Sequence, residues 1–421
     1  MNMRTLVIII KNRKNKNENS GYEHEISEIK SLIKTYSPYS DFYEILLRID
    51  SPNPSLYIGS GKVQDLKQII IENKIVLAVL NITLNQTQQR NLREIWGIDV
   101  MDKTFLILEI FNQRAKSQEG KLQVELARLR YELSRISHKG ISFDQQYGVK
   151  GIRGGSGERK IEYERRVLRD RISILNSKIE TIKKTREIQR KKRKRIPLPI
   201  ISIVGYTNAG KSTLLNSLSK KNDIYADNML FSTLDPTSRR VMIKKGVFAI
   251  FTDTVGFINN LPTLLISAFS ATLEEIKYSD LIIHLHDLTS DIEKNNIVVK
   301  KTLKELTADN IPLINVFNKM DAVKNINRFK VTFSNLNPVF ISAREKIGFE
   351  DLFKTIDLEL SKKWKERIIE ISNNNFNLIN EIKKDYFVIE ERYYKEAAII
   401  KVKVTDENYD KITDLIKTSP K

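Results

Sequence analysis

Gly205-Tyr206-Thr207-Asn208-Ala209-Gly210-Lys211-Ser212 follows the β-branched run Ile200-Ile201-Ser202-Ile203-Val204 and leads into an apolar helical stretch that opens at Thr213. The spacing is that of a phosphate-binding loop, G-x-x-x-x-G-K-[ST], in its strand–loop–helix setting. Glycines let successive backbone N–H groups curl around phosphate oxygens, and the helix that follows aims its positive end at them. Lys211 is expected to reach the β- and γ-phosphates, and the Ser212 hydroxyl to bind magnesium. The pattern alone does not choose adenine over guanine.

Three motifs further along the chain make that choice. Asp253-Thr254-Val255-Gly256 ends the apolar run 247–252 and matches the D-x-x-G segment that senses magnesium and the γ-phosphate. Asn318-Lys319-Met320-Asp321 ends the run 313–317. The Asp321 carboxylate can accept from both N1–H and the 2-amino group of guanine, and adenine offers neither donor. Ser342-Ala343-Arg344 follows another short strand, where its backbone can meet the guanine O6. Between the first two motifs lies Phe231-Ser232-Thr233-Leu234-Asp235-Pro236-Thr237, in the place of a switch that closes on the triphosphate. Thr233 is the expected magnesium ligand there, with Thr237 the alternative. Four motifs in order, each at a strand end, predict an α/β P-loop domain that hydrolyses GTP, with Lys211, Asn208, Thr233 and Gly256 closest to the chemistry.

Two details qualify the chemistry. The residue after Gly256 is Phe257, where many GTPases place a water-orienting glutamine. A phenyl ring makes no such hydrogen bond, so intrinsic hydrolysis is expected to be slow, on the order of 10⁻³ s⁻¹ or below. Asn208 can help coordinate a potassium ion that stabilises charge between the β- and γ-phosphates, or it is a loop residue that tolerates the local backbone. A second glycine-lysine stretch, Gly59-Ser60-Gly61-Lys62, lacks the first glycine and the final hydroxyl of the pattern. It reads as a glycine turn opening the helix 61–73.

Outside 197–362 the chain reads as three further parts. Residues 1–115 alternate strand-like runs (5–10, 42–49, 76–82) with helical patterns (61–73, 87–96), predicting a small α/β domain with a partly parallel sheet. Leu122, Leu126, Leu129, Leu133 and Ile136 form a heptad stripe, repeated by Leu168, Ile172, Leu175, Ile179 and Ile182. Neither helix can bury its stripe alone, so residues 116–196 are expected to form an antiparallel helical hairpin. Its connecting loop, 138–160, is rich in glycine and basic residues, and its second helix ends in a basic run from Arg190 to Arg195 before Pro197 stops it. From about 350 to 372 a helix is expected. A short helix, two strands and a closing helix then complete a small α+β domain over 363–421.

Composition narrows the setting. The 421 residues include 71 Lys+Arg against 52 Asp+Glu, a net charge of +19 that favours a polyanionic partner. There is no cysteine, which excludes disulfides and thiolate metal sites, and the four histidines are scattered. His284 and His286 alternate along an apolar run and read as strand residues. No apolar run is long enough to span a membrane, and the N-terminus lacks the pattern of a signal peptide, so a cytoplasmic location is expected.

The chain resembles one family, the HflX GTPases. The resemblance is carried by Tyr57-Ile58-Gly59-Ser60-Gly61-Lys62-Val63, by Glu119-Gly120-Lys121-Leu122-Gln123-Val124-Glu125-Leu126-Ala127, by Gly154-Gly155-Ser156-Gly157-Glu158 with Glu164-Arg165-Arg166, and by the phosphate loop. Thr233-Leu234-Asp235-Pro236-Thr237, Asp253-Thr254-Val255-Gly256-Phe257-Ile258 and Ala271-Thr272-Leu273-Glu274-Glu275 add to it. It implies a monomeric GTPase that binds the large ribosomal subunit and separates stalled ribosomes under stress. It further implies that the hairpin loop reaches 23S-type rRNA near the peptidyl-transferase centre, with Arg153, Arg159, Lys160, Arg165 and Arg166 as the contacts. Here Ser156 stands where the family loop usually has proline, and Arg159-Lys160-Ile161-Glu162 where Thr-Gln-Leu-Glu is common. Two other readings remain: a GTPase of large-subunit assembly, and an RNA-remodelling ATPase with its own nucleotide site in residues 1–115.

Overall fold

Parallel strands need crossover helices, and the N-terminal part supplies one after each strand. The structure is a computed structural model and describes residues 3–13, 22–136, 156–193, 198–218, 237–244, 247–254, 256–257, 274–372, 375–386 and 388–418. The chain divides into two compact units, and the passage from one to the other falls between Glu180 and Thr181.

In the first unit β1 (Met3–Asn12), β2 (Ser40–Ile49), β3 (Leu77–Leu80) and β4 (Asp99–Asp102) form a four-stranded sheet in the order β2-β1-β3-β4, parallel throughout. Helices α1 (Tyr22–Tyr36), α2 (Ser60–Glu72), α3 (Gln86–Trp96) and α4 (Lys103–Arg114) connect and cover it. Leu6, Ile8 and Ile10 of β1 meet Val63, Leu66 and Ile70 of α2 and Leu92 and Trp96 of α3 in one apolar cluster. Local chemistry sets the ends of α3: Asn85 and Gln88 close a capping box, and Gly97 takes the left-handed conformation (φ 68°) that ends the helix. Gly59 caps the start of α2, so the decoy glycine-lysine stretch is the helix opening its pattern suggested.

The two heptad stripes meet. Helices α5 (Gln118–Ile136) and α6 (Ser156–Arg193) bury Leu126 and Leu129 against Leu175 and Ile179, with Leu122, Leu168 and Ile172 packed alongside. Arg130 bonds Asn176, and Arg165 donates to the Ile136 carbonyl that ends α5, so the helices run antiparallel. A buried polar latch ties α5 to the sheet. The Tyr131 hydroxyl donates to Asp102 at 2.6 Å, and Asp102 also accepts from the Leu84 and Phe105 amides.

The second unit carries a six-stranded sheet of β5 (Ile200–Gly205), β6 (Thr237–Lys244), β7 (Val247–Asp253), β8 (Leu281–Asp287), β9 (Leu313–Asn318) and β10 (Val339–Phe340), in the order β10-β9-β8-β5-β7-β6. All neighbours are parallel except β6, which pairs antiparallel with β7 at the edge. Among the described residues four α-helices belong to this part: α7 (Lys211–Leu218), α8 (Ile292–Glu305), α9 (Ile326–Thr332) and α10 (Phe349–Ser361). The helix expected over 350–372 is a correction: α10 stops at Ser361, and Lys365–Ser372 forms β11. Ile369 and Ile371 point inward while Ile368 and Glu370 point outward, a period of two that suits a strand. β11 joins β13 (Ala397–Val404) and β12 (Val388–Tyr393) in an antiparallel sheet ordered β11-β13-β12, covered by α11 (Phe376–Asp385) and α12 (Asp406–Thr418).

Candidate functional site

The site lies where β5, β7 and β9 end, at the carboxyl edge of a parallel sheet, where open α/β folds bind ligands. β5 stops at Gly205, where a Cβ would collide with the Leu285 carbonyl. Gly210 has φ 93°, and a Cβ there would strike the Asn318 side chain. Asn208 also sits in the left-handed region, at φ 65°, and is exposed. Tyr206, Thr207 and Ala209 complete the loop, the last two buried.

Lys211 is 7% exposed and donates to the carbonyls of Gly205 (3.2 Å) and Tyr206 (3.0 Å), so its ammonium lies inside the loop. Burial pulls its pKa down to about 8, against the pull of Asp253 in the other direction. Ser212 Oγ donates to Asp253 Oδ2 at 2.6 Å. A hydroxyl and a carboxylate converging beside a phosphate loop are hard oxygen donors of the kind magnesium takes. The fit is therefore good: Ser212 would hold the ion with Asp253 beside it, and the ion would neutralise charge on the β- and γ-phosphates. Thr254 donates to the Ile203 carbonyl, and a Cβ on Gly256 would press on Thr207 and the Lys211 ammonium.

Phe257 occupies a place the sequence does not reveal. Its ring is 2% exposed and packs with Val204, Ile276, Ile282, Val299 and Leu303 in the core. Its backbone bridges to the phosphate loop: the Thr207 N–H donates to the Phe257 carbonyl (2.8 Å), and the Phe257 N–H to the Gly205 carbonyl (3.1 Å). The D-x-x-G segment and the phosphate loop are thus joined by a short ladder, with the ring as its anchor.

The guanine side is equally tied down. Asn318 Nδ2 donates to the Ala209 carbonyl at 2.8 Å, and Asn318 Oδ1 accepts the Ala343 N–H at 2.9 Å. One side chain therefore links the phosphate loop to the Ser342–Arg344 segment, and the Ala343 N–H is already used. Ser342 accepts from the Glu345 N–H, and the Arg344 side chain is exposed. Lys319 pairs with Asp287, Met320 packs with Phe317 and Phe340, and Asp321 is exposed.

Several expected residues lie outside the described ones: Phe231, Ser232, Thr233, Leu234 and Asp235 of the switch, Val255, and Arg153 in the hairpin loop. The alternative switch ligand Thr237 is the first residue of β6, opposite Asp253. Arg159 and Lys160 lie on α6, with side chains outside the described residues. Arg166 is exposed on α6, whereas Arg165 is largely covered, bonded to Ile136 and paired with Glu162.

A phosphate loop with its lysine buried, a D-x-x-G segment laddered to it and an N-K-x-D turn whose asparagine bonds the same loop define a P-loop GTPase. The sequence matches three family profiles: GTP-binding GTPase N-terminal over 23–112, GTP-binding GTPase Middle Region over 114–193, and 50S ribosome-binding GTPase over 200–319. It is 41% identical to the GTPase HflX of Caldanaerobacter subterraneus subsp. tengcongensis, over 86% of this chain and 84% of that protein. It is 38% identical to the GTPase HflX of Escherichia coli, over 74% of this chain and 73% of that one. The chain belongs to the HflX family of GTPases. Among solved structures it is similar to SsGBP in complex with GDP, at 27% identity and a TM-score of 0.49, over 86% of this chain and 99% of that one.

Proposed function

We propose that this GTPase binds the large ribosomal subunit and splits or rescues stalled ribosomes in a GTP-dependent manner, with slow intrinsic hydrolysis that the ribosome stimulates. The observation that supports the reading is the basic face that the second hairpin helix exposes, in a chain that also carries the phosphate loop and the guanine motif. The second helix, α6, presents Arg166, Arg169, Arg171, Lys178 and Lys184 to solvent, a face suited to phosphate backbones. The match to the 50S ribosome-binding GTPase profile and the net charge of +19 support the same partner. In this reading residues 1–115, 116–196, 197–362 and 363–421 are the four working parts, with Arg153, Arg159, Lys160 and Arg166 on rRNA. Arg165, the fifth expected contact, is bonded to the Ile136 carbonyl and paired with Glu162.

The triphosphate orders the switch through Thr233, the hairpin docks, and hydrolysis resets the protein. Ser212 and Thr233 would hold magnesium and Asn208 would help hold potassium, each supplying positive charge to the phosphates. The protein acts in the cytoplasm, as a monomer off the ribosome; among the described residues no helix is long and apolar enough to cross a membrane.

The test is the rate of GTP hydrolysis with and without large subunits, in potassium and in sodium, together with sedimentation of whole ribosomes. Stimulation by the large subunit and conversion of whole ribosomes into subunits is the expected result. Binding to subunit precursors without conversion would favour an assembly factor instead. Turnover of ATP that survives Asp321→Asn would favour an RNA-remodelling ATPase. Equal rates in sodium and potassium would remove the potassium role.

A further inference from the structure

The lysine of the guanine motif is anchored by a residue that belongs to none of the four nucleotide motifs. Lys319 opens the Met320–Ala322 turn with φ 65°, a left-handed backbone that side chains of its kind rarely adopt. Something outside the turn must hold it there. Its ammonium lies 2.7 Å from Asp287 Oδ2, and the Asp287 side chain is only 11% exposed.

Asp287 is itself fixed. It is the last residue of β8, in register with Asn318 of β9. Its Oδ1 accepts from the Thr289 N–H at 2.9 Å and from the Thr289 hydroxyl at 2.6 Å, while Ser290 Oγ donates to its carbonyl at 2.9 Å. The Leu288 N–H donates to the Asn318 carbonyl at 3.1 Å, closing the two strand ends together. On the far side of the turn the Met320 N–H donates to the Ile341 carbonyl at 3.2 Å, and the Met320 side chain is held among Phe317, Val323 and Phe340. Lys319 and Met320 are thus held by neighbours on either side of the turn, and Asp321 is exposed.

We propose that Asp287 is the positioning residue for guanine recognition. Through the Lys319 ammonium it holds the left-handed turn in the one setting that presents both Asp321 carboxylate oxygens to the base edge. Two-point recognition of N1–H and the 2-amino group depends on that setting far more than one-point recognition does, because the second contact is lost first when the carboxylate tilts. Asp287 therefore acts on selectivity, not only on affinity. The inference rests on the guanine reading of Asp321 and not on the ribosomal partner.

The experiment is equilibrium titration of the full-length chain with GDP and with inosine diphosphate, which lacks the 2-amino group. Asp287→Asn keeps the shape and removes the charge. It is expected to weaken GDP binding by about tenfold or more and to narrow the preference for GDP over inosine diphosphate. A merely structural role would lower both affinities by the same factor, and that result, or no change in either, overturns the proposal. Lys319→Met provides a second route should Asp287→Asn fail to fold. It is expected to narrow the same ratio, and an unchanged ratio overturns the proposal as well. In the Lys319→Met background, Asp287→Asn should change the ratio no further, since the two act in series. A wild-type protein without any preference for GDP over inosine diphosphate would instead sink the guanine reading of Asp321.

Discussion

Phe257 and Lys211 show how much of the switch chemistry depends on where single side chains are buried. The Phe257 ring fills the core beneath the phosphate loop while its backbone ladders to Gly205 and Thr207. Installing a glutamine there would not restore a water-orienting group, because the side chain points away from the phosphates. Phe257→Gln is expected to bury an unpaired amide and lose the ring contacts, at a cost of about 3–5 kcal/mol in stability. Denaturant unfolding and single-turnover hydrolysis check both halves, and a faster intrinsic rate in the variant would refute the argument.

Lys211 carries a different consequence. Its pKa near 8 in the free protein is set by burial, and phosphates at the site would raise it. Nucleotide binding should then take up a proton, and affinity should fall as pH rises through about 8. The stability of the nucleotide-free protein runs the other way. Between about 8 and the ordinary value of 10.5 the unfolded chain binds more protons, so folding gains as pH rises. Nucleotide titrations in buffers of different ionisation enthalpy would reveal the proton uptake, and a pH-independent affinity would contradict it.

At the level of elements, β8 concentrates an acid sensitivity in the centre of the sheet. His284 and His286 share one face of the strand, their ring centroids 3.8 Å apart, and His286 stacks on Phe317 of β9 at 4.6 Å. Burial, reinforced by His286, Lys300 and Lys211, holds His284 well below its ordinary value of 6.5. Burial brings His286 down to about 4 even though Asn315 opposes it. Both rings are neutral in the fold and titrate near 6.5 when unfolded, so their contribution is whole above that value and is lost as pH falls toward about 4. His286→Phe, which keeps the stack, should flatten the decline of melting temperature between about pH 6.5 and 4.5; an unchanged decline would assign the loss elsewhere. The hairpin is an element-scale prediction too. Leu175→Ala removes a side chain buried against Leu126 and Leu129. It should cost about 2–4 kcal/mol, read as faster hydrogen exchange of α5 and α6 amides while the nucleotide site keeps its affinity.

Across the second unit, an alternating chain of charges fastens the C-terminal sheet to the GTPase sheet. Asp357 of α10 meets Lys403 of β13 at 2.7 Å and Lys244 at the end of β6 at 2.9 Å, and Glu366 of β11 bridges Lys244 to Lys401. Lys403 is 1% exposed, and its ammonium is paired with Asp357. Burial alone would push the Asp357 carboxyl up, but Lys403 and Lys244 outweigh it and hold it below the usual range. Asp357→Ala leaves a buried ammonium unpaired and should cost about 2–4 kcal/mol, whereas adding Lys403→Met should recover most of that loss. Thermal unfolding of the single and double variants checks this, and equal destabilisation by both would show that the pair is not coupled.

The nucleotide motifs were legible because each is a short loop whose spacing alone dictates what its backbone can wrap, and the strands before them are plain β-branched runs. The heptad stripes were legible for a related reason: an apolar stripe of that period has to find a partner, and the only other one lay across the loop. Residues 362–372 misled because lysines, a tryptophan and scattered isoleucines fit either period until β13 supplies the neighbour. What the sequence by itself determined is the identity of the site, a GTPase of the HflX family with Lys211, Asp253, Asn318 and Asp321 in their places. What only the tertiary structure decided is how that site is held: Phe257 turned into the core, Asn318 joining two loops, Asp287 gripping Lys319 and Lys403 buried on Asp357. Those contacts join residues far apart in the chain, and no local pattern encodes which strand ends will come to lie side by side.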